Sequence, residues 1–239
     1  MTWVLLMACS SPGQGSVVTG PRQGDDRDQQ VDEEPVQESG ADDTEPPEPT
    51  YSSSWAGLDA DRRAQMTGVT WKDGCPVPLD DLVLMQIDHW DLEGQETVGL
   101  LVVAKAHAAD LDTVFEAMWQ ARFPIRSMRP ALEFGGSDDA SMAADNTSAF
   151  NCRAVTGGSS YSEHSYGHAI DINPRENPYV KGGTVLPPEG VDYLIRDGSV
   201  PGLIVEGDVV TTSFASIGWG WGGDWGSLKD YQHFSATGN

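Results

Sequence analysis

The sequence predicts an α+β fold, a small and mostly antiparallel sheet with helices packed on one side. Three observations predict it. Residues 82–103 read as two apolar strands around a turn, and a helix-spaced apolar stripe follows them. Farther on, strands and helices do not alternate strictly, which disfavours a doubly wound parallel sheet.

Taken in order, Gly74-Cys75-Pro76-Val77-Pro78 opens the folded part as a rigid loop. Residues 82–90 (Leu-Val-Leu-Met-Gln-Ile-Asp-His-Trp) form the first strand, residues 91–95 turn around Gly94, and residues 97–103 return as the second. A helix capped near Asp110 follows, with Leu111, Val114, Phe115 and Met118 at three- and four-residue spacing. That face reads as core. Residues 123–128 are expected to form a third strand, ended by Pro130 just after Arg129. Residues 138–144 suit a short helix with an acidic first turn. Residues 168–172 alternate as a short strand that Pro174 stops. The apolar stretch 203–206, a helix from about Val209 and a terminal strand reaching Phe234 complete the set. No internal repeat is evident.

The first third of the chain differs in kind. Residues 1–9 (Met-Thr-Trp-Val-Leu-Leu-Met-Ala-Cys) are apolar up to a cysteine. Leu6-Met7-Ala8-Cys9 resembles a bacterial lipobox, in which Cys9 becomes lipidated. No Lys or Arg precedes the run, and it is short for a signal core. From Ser10 to about Ser54 no hydrophobic periodicity is present, and residues 24–48 carry eleven acidic side chains. Such a segment buries too little apolar surface to offset chain entropy. The expected organisation is a lipoprotein-type signal segment at 1–9, a disordered acidic tether at 10–66 and a catalytic-type domain at 67–239.

Charge and cysteines bound the setting. The chain of 239 residues has a net charge of −23, of which residues 1–50 supply −9. Such a surface repels nucleic acid, whose binding depends on Lys and Arg neutralising phosphates. No apolar run approaches the ~20 residues of a spanning helix, so a membrane enters only through a lipid on Cys9. With Cys9 set aside, Cys75 and Cys152 form an even pair. In an oxidising compartment they would close a long disulfide loop, and elsewhere they would be two buried thiols. Neither lies in a Cys-x-x-Cys spacing.

The chemistry concentrates in two short segments. Residues 162–171 read Ser-Glu-His-Ser-Tyr-Gly-His-Ala-Ile-Asp, and residues 230–234 read Asp-Tyr-Gln-His-Phe. His164, Asp171 and His233 can serve as the three protein ligands of a catalytic zinc, and Asp230 as the nearby base. His164 and Asp171 are seven positions apart, so a straight helix would separate them by about 10 Å. The segment must therefore turn, at Gly167, and then run extended. A competing reading takes His164 and His168 as a helical zinc pair. It lacks the glutamate base, because Ser165 occupies that position, and it places Gly167 inside the helix. His89 ends an apolar strand and His107 opens a helix, so neither reads as a ligand. Asp230 has a second reading, as the group that orients His233.

Ser162-x-His164-x-x-Gly167-x-Ala169-x-Asp171 followed by Asp230-x-x-His233 resembles the signature of the D-alanyl-D-alanine carboxypeptidase family of zinc peptidases. That family includes VanY-like carboxypeptidases, VanX-like dipeptidases and phage L-alanyl-D-glutamate endopeptidases. The resemblance runs from about Gly74 to Phe234. It implies a hedgehog/DD-peptidase-like fold and one Zn²⁺ per chain on His164, Asp171 and His233, with Asp230 as general base. Some branches carry glutamate where Asp230 stands. It also implies an upstream arginine that holds the substrate carboxylate or polarises the scissile carbonyl. Phe123-Pro-Ile-Arg126-Ser-Met-Arg129-Pro is the matching stretch, with Arg129 favoured for catalysis and Arg126 for substrate binding. Ser162 and Trp221 are expected at the substrate, the latter from the tryptophan-rich stretch 219–225, whose alternative is a core corner. The implied partner is a peptidoglycan stem peptide, met by a monomer outside the cytoplasm in a bacterial envelope, lipid-anchored. The competing reading is a zinc-containing wall-binding lipoprotein without catalysis. Lysostaphin-like endopeptidases fit poorly, because their His-x-His pair is absent.

Overall fold

The computed structural model describes residues 49–155 and 158–239. The lipobox-like segment, Cys9 and the acidic stretch to residue 48 lie outside the described residues. The remainder is an α+β arrangement of nine strands and four α-helices among the described residues. Three small antiparallel sheets take the place of the single expected one. Strands β1 (Ser53–Gly57), β2 (Leu82–Trp90) and β3 (Glu96–Ala104) form the first. Strands β4 (Ala169–Asp171), β9 (His233–Ser235) and β7 (Gly220–Trp221) form the second, with β9 central. Strands β6 (Thr184–Leu186), β5 (Tyr179–Lys181) and β8 (Lys229–Asp230) form the third.

The expected hairpin is present as β2–β3, in register from Leu82 opposite Ala104 to Trp90 opposite Glu96. Met85, Ile87, Leu101 and Val103 alternate onto one buried face, as period-two patterning requires. Helix α2 (Ala108–Gln120) packs there through Leu111, Val114, Phe115 and Met118. It begins two residues before Asp110, with no side-chain cap, because a 3-10 turn over Lys105–His107 leads straight into it. Helix α4 (Val209–Ser216) packs on α2 and carries Phe214 onto Phe234 of β9, ring centroids 4.2 Å apart. Both rings are fully buried. Burying each contributes about 1.5–3 kcal/mol, so the core that stabilises the domain also fixes the strand that carries His233.

Two expectations need correction. The tether was expected to reach residue 66, yet β1 pairs with β2 and helix α1 (Ala60–Met66) follows, capped by Asp59. Ser-Ser-Trp-Ala-Gly shows no alternation because β1 is an edge strand held by backbone pairing and largely exposed. Residues 123–128 form no regular strand. Pro124 cannot donate to a ladder, and the segment makes only single bridges, Trp90 to Pro124 and Met128 to Thr147. In the stretch 203–206, Leu203 and Ile204 are buried, and the backbone forms no regular element. Helix α3 (Asp138–Ala143) matches expectation, with Ser137 accepting from the Ala140 N–H. Cys75 and Cys152 are disulfide-bonded.

Candidate metal centre

His164 lies in a 3-10 turn, Glu163–Tyr166, that Ser162 caps by accepting from the His164 N–H. Gly167 ends that turn at φ +69, where a side chain is strained, and a Cβ there would meet the Ala104 nitrogen at 2.5 Å. The Gly167 carbonyl accepts from that same Ala104 N–H at 3.1 Å. The chain then leaves as β4, with Ile170 in the core. Asp171 stands directly opposite His233 across the β4–β9 pair. Adjacent cross-strand residues share a face, so backbone pairing alone brings the carboxylate to the second imidazole.

His164, Asp171 and His233 each offer one ligand atom, all within 4.8 Å of one another and all buried. Asp171 Oδ2 lies 3.0 Å from His164 Nε2, and Oδ1 lies 3.0 Å from His233 Nδ1. Each histidine's far nitrogen faces a backbone carbonyl: His164 Nδ1 at 2.6 Å from the Ala149 oxygen, His233 Nε2 at 3.1 Å from the Asn239 oxygen. Metal-bound histidines use their second nitrogen in this way. Two inward imidazole nitrogens and a carboxylate, converging with the outer ring nitrogens satisfied, fit a divalent cation.

The electrostatics agree. Burial alone would raise the Asp171 carboxyl, but the charge and hydrogen bonds of His164 and His233 hold it well below the usual carboxylate range. Burial opposes a charged His233, and the Asp171 hydrogen bond and charge override it, raising that ring. Removing one member would leave buried charge uncompensated.

Asp230 shares a cleft of about 440 Å³ with these three residues. Burial, then the Asp171 charge, pushes its carboxyl up to about 6. Gln232 Nε2 donates to its Oδ1 at 3.2 Å. Gly222 packs against the Asp230 backbone, where a Cβ would sit 2.5 Å from the Asp230 carbonyl oxygen. Gly222 therefore serves the close approach of the 3-10 turn Gly222–Asp224 to strand β8. His168 faces away, with its ring 4.9 Å from that of His107. The helical His164–His168 pair does not form.

The two expected arginines do not reach this cleft. Arg126 pairs with Glu93 at 2.9 Å, and Arg129 pairs with Glu133 at 3.2 Å on the exposed surface. Both sit in the irregular 123–130 segment, whose backbone is tied elsewhere: Arg126 N–H donates to Asn173 Oδ1 and Arg129 N–H to Asn146 Oδ1. The arginine that lines the cleft is Arg153. Its Nη2 lies 2.7 Å from Asp138 Oδ2, and its backbone is stitched to Ser165 and Ser162. Burial first, then Asp171, raises the Asp138 carboxyl against the opposing pull of Arg153. Arg153 follows Cys152 and is the nearest arginine before Ser162, a proximity that could have singled it out. Trp221 is buried, stacked on Phe234 with its Nε1 donating to the Tyr231 carbonyl. Trp225 lines the cleft instead, as do Ser162, Tyr179 and Gln232.

A buried His–Asp–His set that could hold a divalent cation, open to a cleft beside a carboxyl group, has the parts that metal-assisted hydrolysis uses. Residues 156–236 match the model of the family described as D-alanyl-D-alanine carboxypeptidase, a span that holds His164, Asp171, Asp230 and His233. Neither the curated proteins nor the solved structures gave a match.

Proposed function

We propose that this protein is a zinc-dependent peptidase of peptidoglycan stem peptides, acting as a D-alanyl-D-alanine carboxypeptidase. The observation that carries the reading is the convergence of His164, Asp171 and His233 next to Asp230, within the span of the family match. Zn²⁺ bound by two neutral imidazoles and one carboxylate would supply an acidified water and a charge that polarises the carbonyl. The chain's own residues do the rest. Asp230 takes the proton of the attacking water, and its elevated affinity for protons suits it to pass that proton on to the leaving amine. Gln232 holds the Asp230 oxygen in place. Of the two cations that line the cleft, Arg153 and Lys181, Arg153 offers the forked guanidinium suited to a substrate's free carboxylate, with Asp138 fixing it until substrate arrives. Trp225 and Leu228 supply apolar wall.

Among the described residues no helix is long and apolar enough to cross a membrane. Action outside the cytoplasm, as a monomer held by a lipid on Cys9, is part of this proposal. The disulfide supports an oxidising compartment. Mass spectrometry of muropeptides incubated with the zinc-loaded protein tests the reading. Loss of one terminal D-alanine is expected. Cleavage at another stem bond would reassign the specificity, and intact peptides beside bound zinc would favour the wall-binding alternative.

A further inference from the structure

Strand β5 begins at Tyr179, directly after Asn177 and Pro178, and pairs with β8 so that Tyr179 stands opposite Asp230. Antiparallel partners present their side chains to the same face, and both line the same cleft. The pair is held firmly: the Tyr231 N–H donates to the Pro178 carbonyl, and β6 braces β5 from its other edge. Tyr179 is half-buried, and its hydroxyl has no hydrogen-bond partner among the described residues. The cleft therefore holds an unengaged O–H beside the carboxyl that handles the reacting proton.

We propose that Tyr179 is a catalytic residue of this cleft, its phenol O–H donating a hydrogen bond to the carbonyl oxygen of the peptide bond being cut. The assignment rests on the peptidase reading above. A group opposite the base faces the atoms on which the base acts: the attacking water, the carbonyl and the leaving nitrogen. Desolvation first, then the Asp230 charge, raises the phenol, so it remains a donor at any working pH. A neutral donor stabilises the oxygen that gains negative charge and is a poor proton source for the amine. Its bond strengthens as charge develops, so the effect belongs to the transition state more than to substrate binding.

The test is Tyr179→Phe in the zinc-loaded full chain, which keeps the ring and removes only the hydroxyl. The expected result is a kcat lower by about 10–100-fold, the range below a fully enclosed oxyanion donor, with KM changed less than about threefold and metal content unchanged. Calorimetry with a phosphinate dipeptide, a tetrahedral anion, should show weakened binding to the variant, while an uncleaved peptide binds both proteins alike. A variant with wild-type kcat and phosphinate affinity overturns the role of Tyr179 and leaves the peptidase reading intact. A wild-type protein that neither cleaves peptides nor binds the phosphinate overturns both.

Discussion

At the scale of single residues, proton-handling is divided between neighbours whose environments push them apart. Asp171 is held ionised by two imidazoles, while Asp230, a few residues from the second of them, is pushed up to about 6. The first suits a ligand and the second a base that must also give its proton back. Asp230→Asn should retain the metal, read by atomic spectroscopy, and lose at least about 100-fold in kcat, the lower end of what a general acid–base supplies. An unaltered kcat would remove Asp230 from the chemistry. Arg153→Ala has a different signature. Without the guanidinium, Asp138 is left partly buried beside Asp171, and peptides with a free C-terminal carboxylate should show a KM raised about tenfold or more. Amidated peptides should be nearly indifferent to the change, and steady-state kinetics on the two series separates the cases.

At the scale of elements, the site exists because two short strands pair in one register. A one-residue slip between β4 and β9 would turn His233 away from Asp171. Gly167 sets where β4 starts. Gly167→Ala combines a positive φ with a 2.5 Å approach to Ala104, so a loss of about 2–3 kcal/mol is expected. A denaturant midpoint should report it, together with weaker metal retention, because His164 lies in the 3-10 turn that Gly167 ends. Much of this was legible in the sequence. The distance argument required a turn between His164 and Asp171, and Gly167 was the residue able to make it. Period-two and three-four spacing gave β2, β3 and α2. The elements that escaped were those whose side chains carry no period. Strand β1 is defined by backbone pairing to β2, and β5, β6 and β8 are two or three residues long. The hairpin carrying Tyr179 could not be seen, and Trp221 could not be told from Trp225. Arg126 and Arg129 came from the resemblance, on a stretch expected to be a strand that Pro124 keeps irregular, and their side chains pair with Glu93 and Glu133 instead.

At the scale of the whole molecule, a second buried carboxyl pair couples the fold to pH. Glu176 follows the β4 exit and lies against Asp145, both almost fully buried, and one Glu176 oxygen lacks a hydrogen-bond partner. Burial, then the Asp145 charge and hydrogen bond, pushes Glu176 from 4.5 up to about 8. Glu176 therefore holds a proton in the folded protein at neutral pH and none when unfolded. Because the folded value is the higher one, this group's stabilisation is complete below pH ~4.5 and is lost as pH rises through ~8. Stability should fall across that window, by at most ~1.4 kcal/mol per pH unit from this group. Asp230 acts in the same direction, so the informative quantity is a difference between proteins. Glu176→Gln keeps the shape and cannot ionise, and its urea midpoint should decline less steeply than that of the wild type between about pH 5 and pH 8. Equal slopes for the two proteins would show that Glu176 is already ionised in the fold, with Arg126, 3.9 Å from Asp145, carrying the balance of charge.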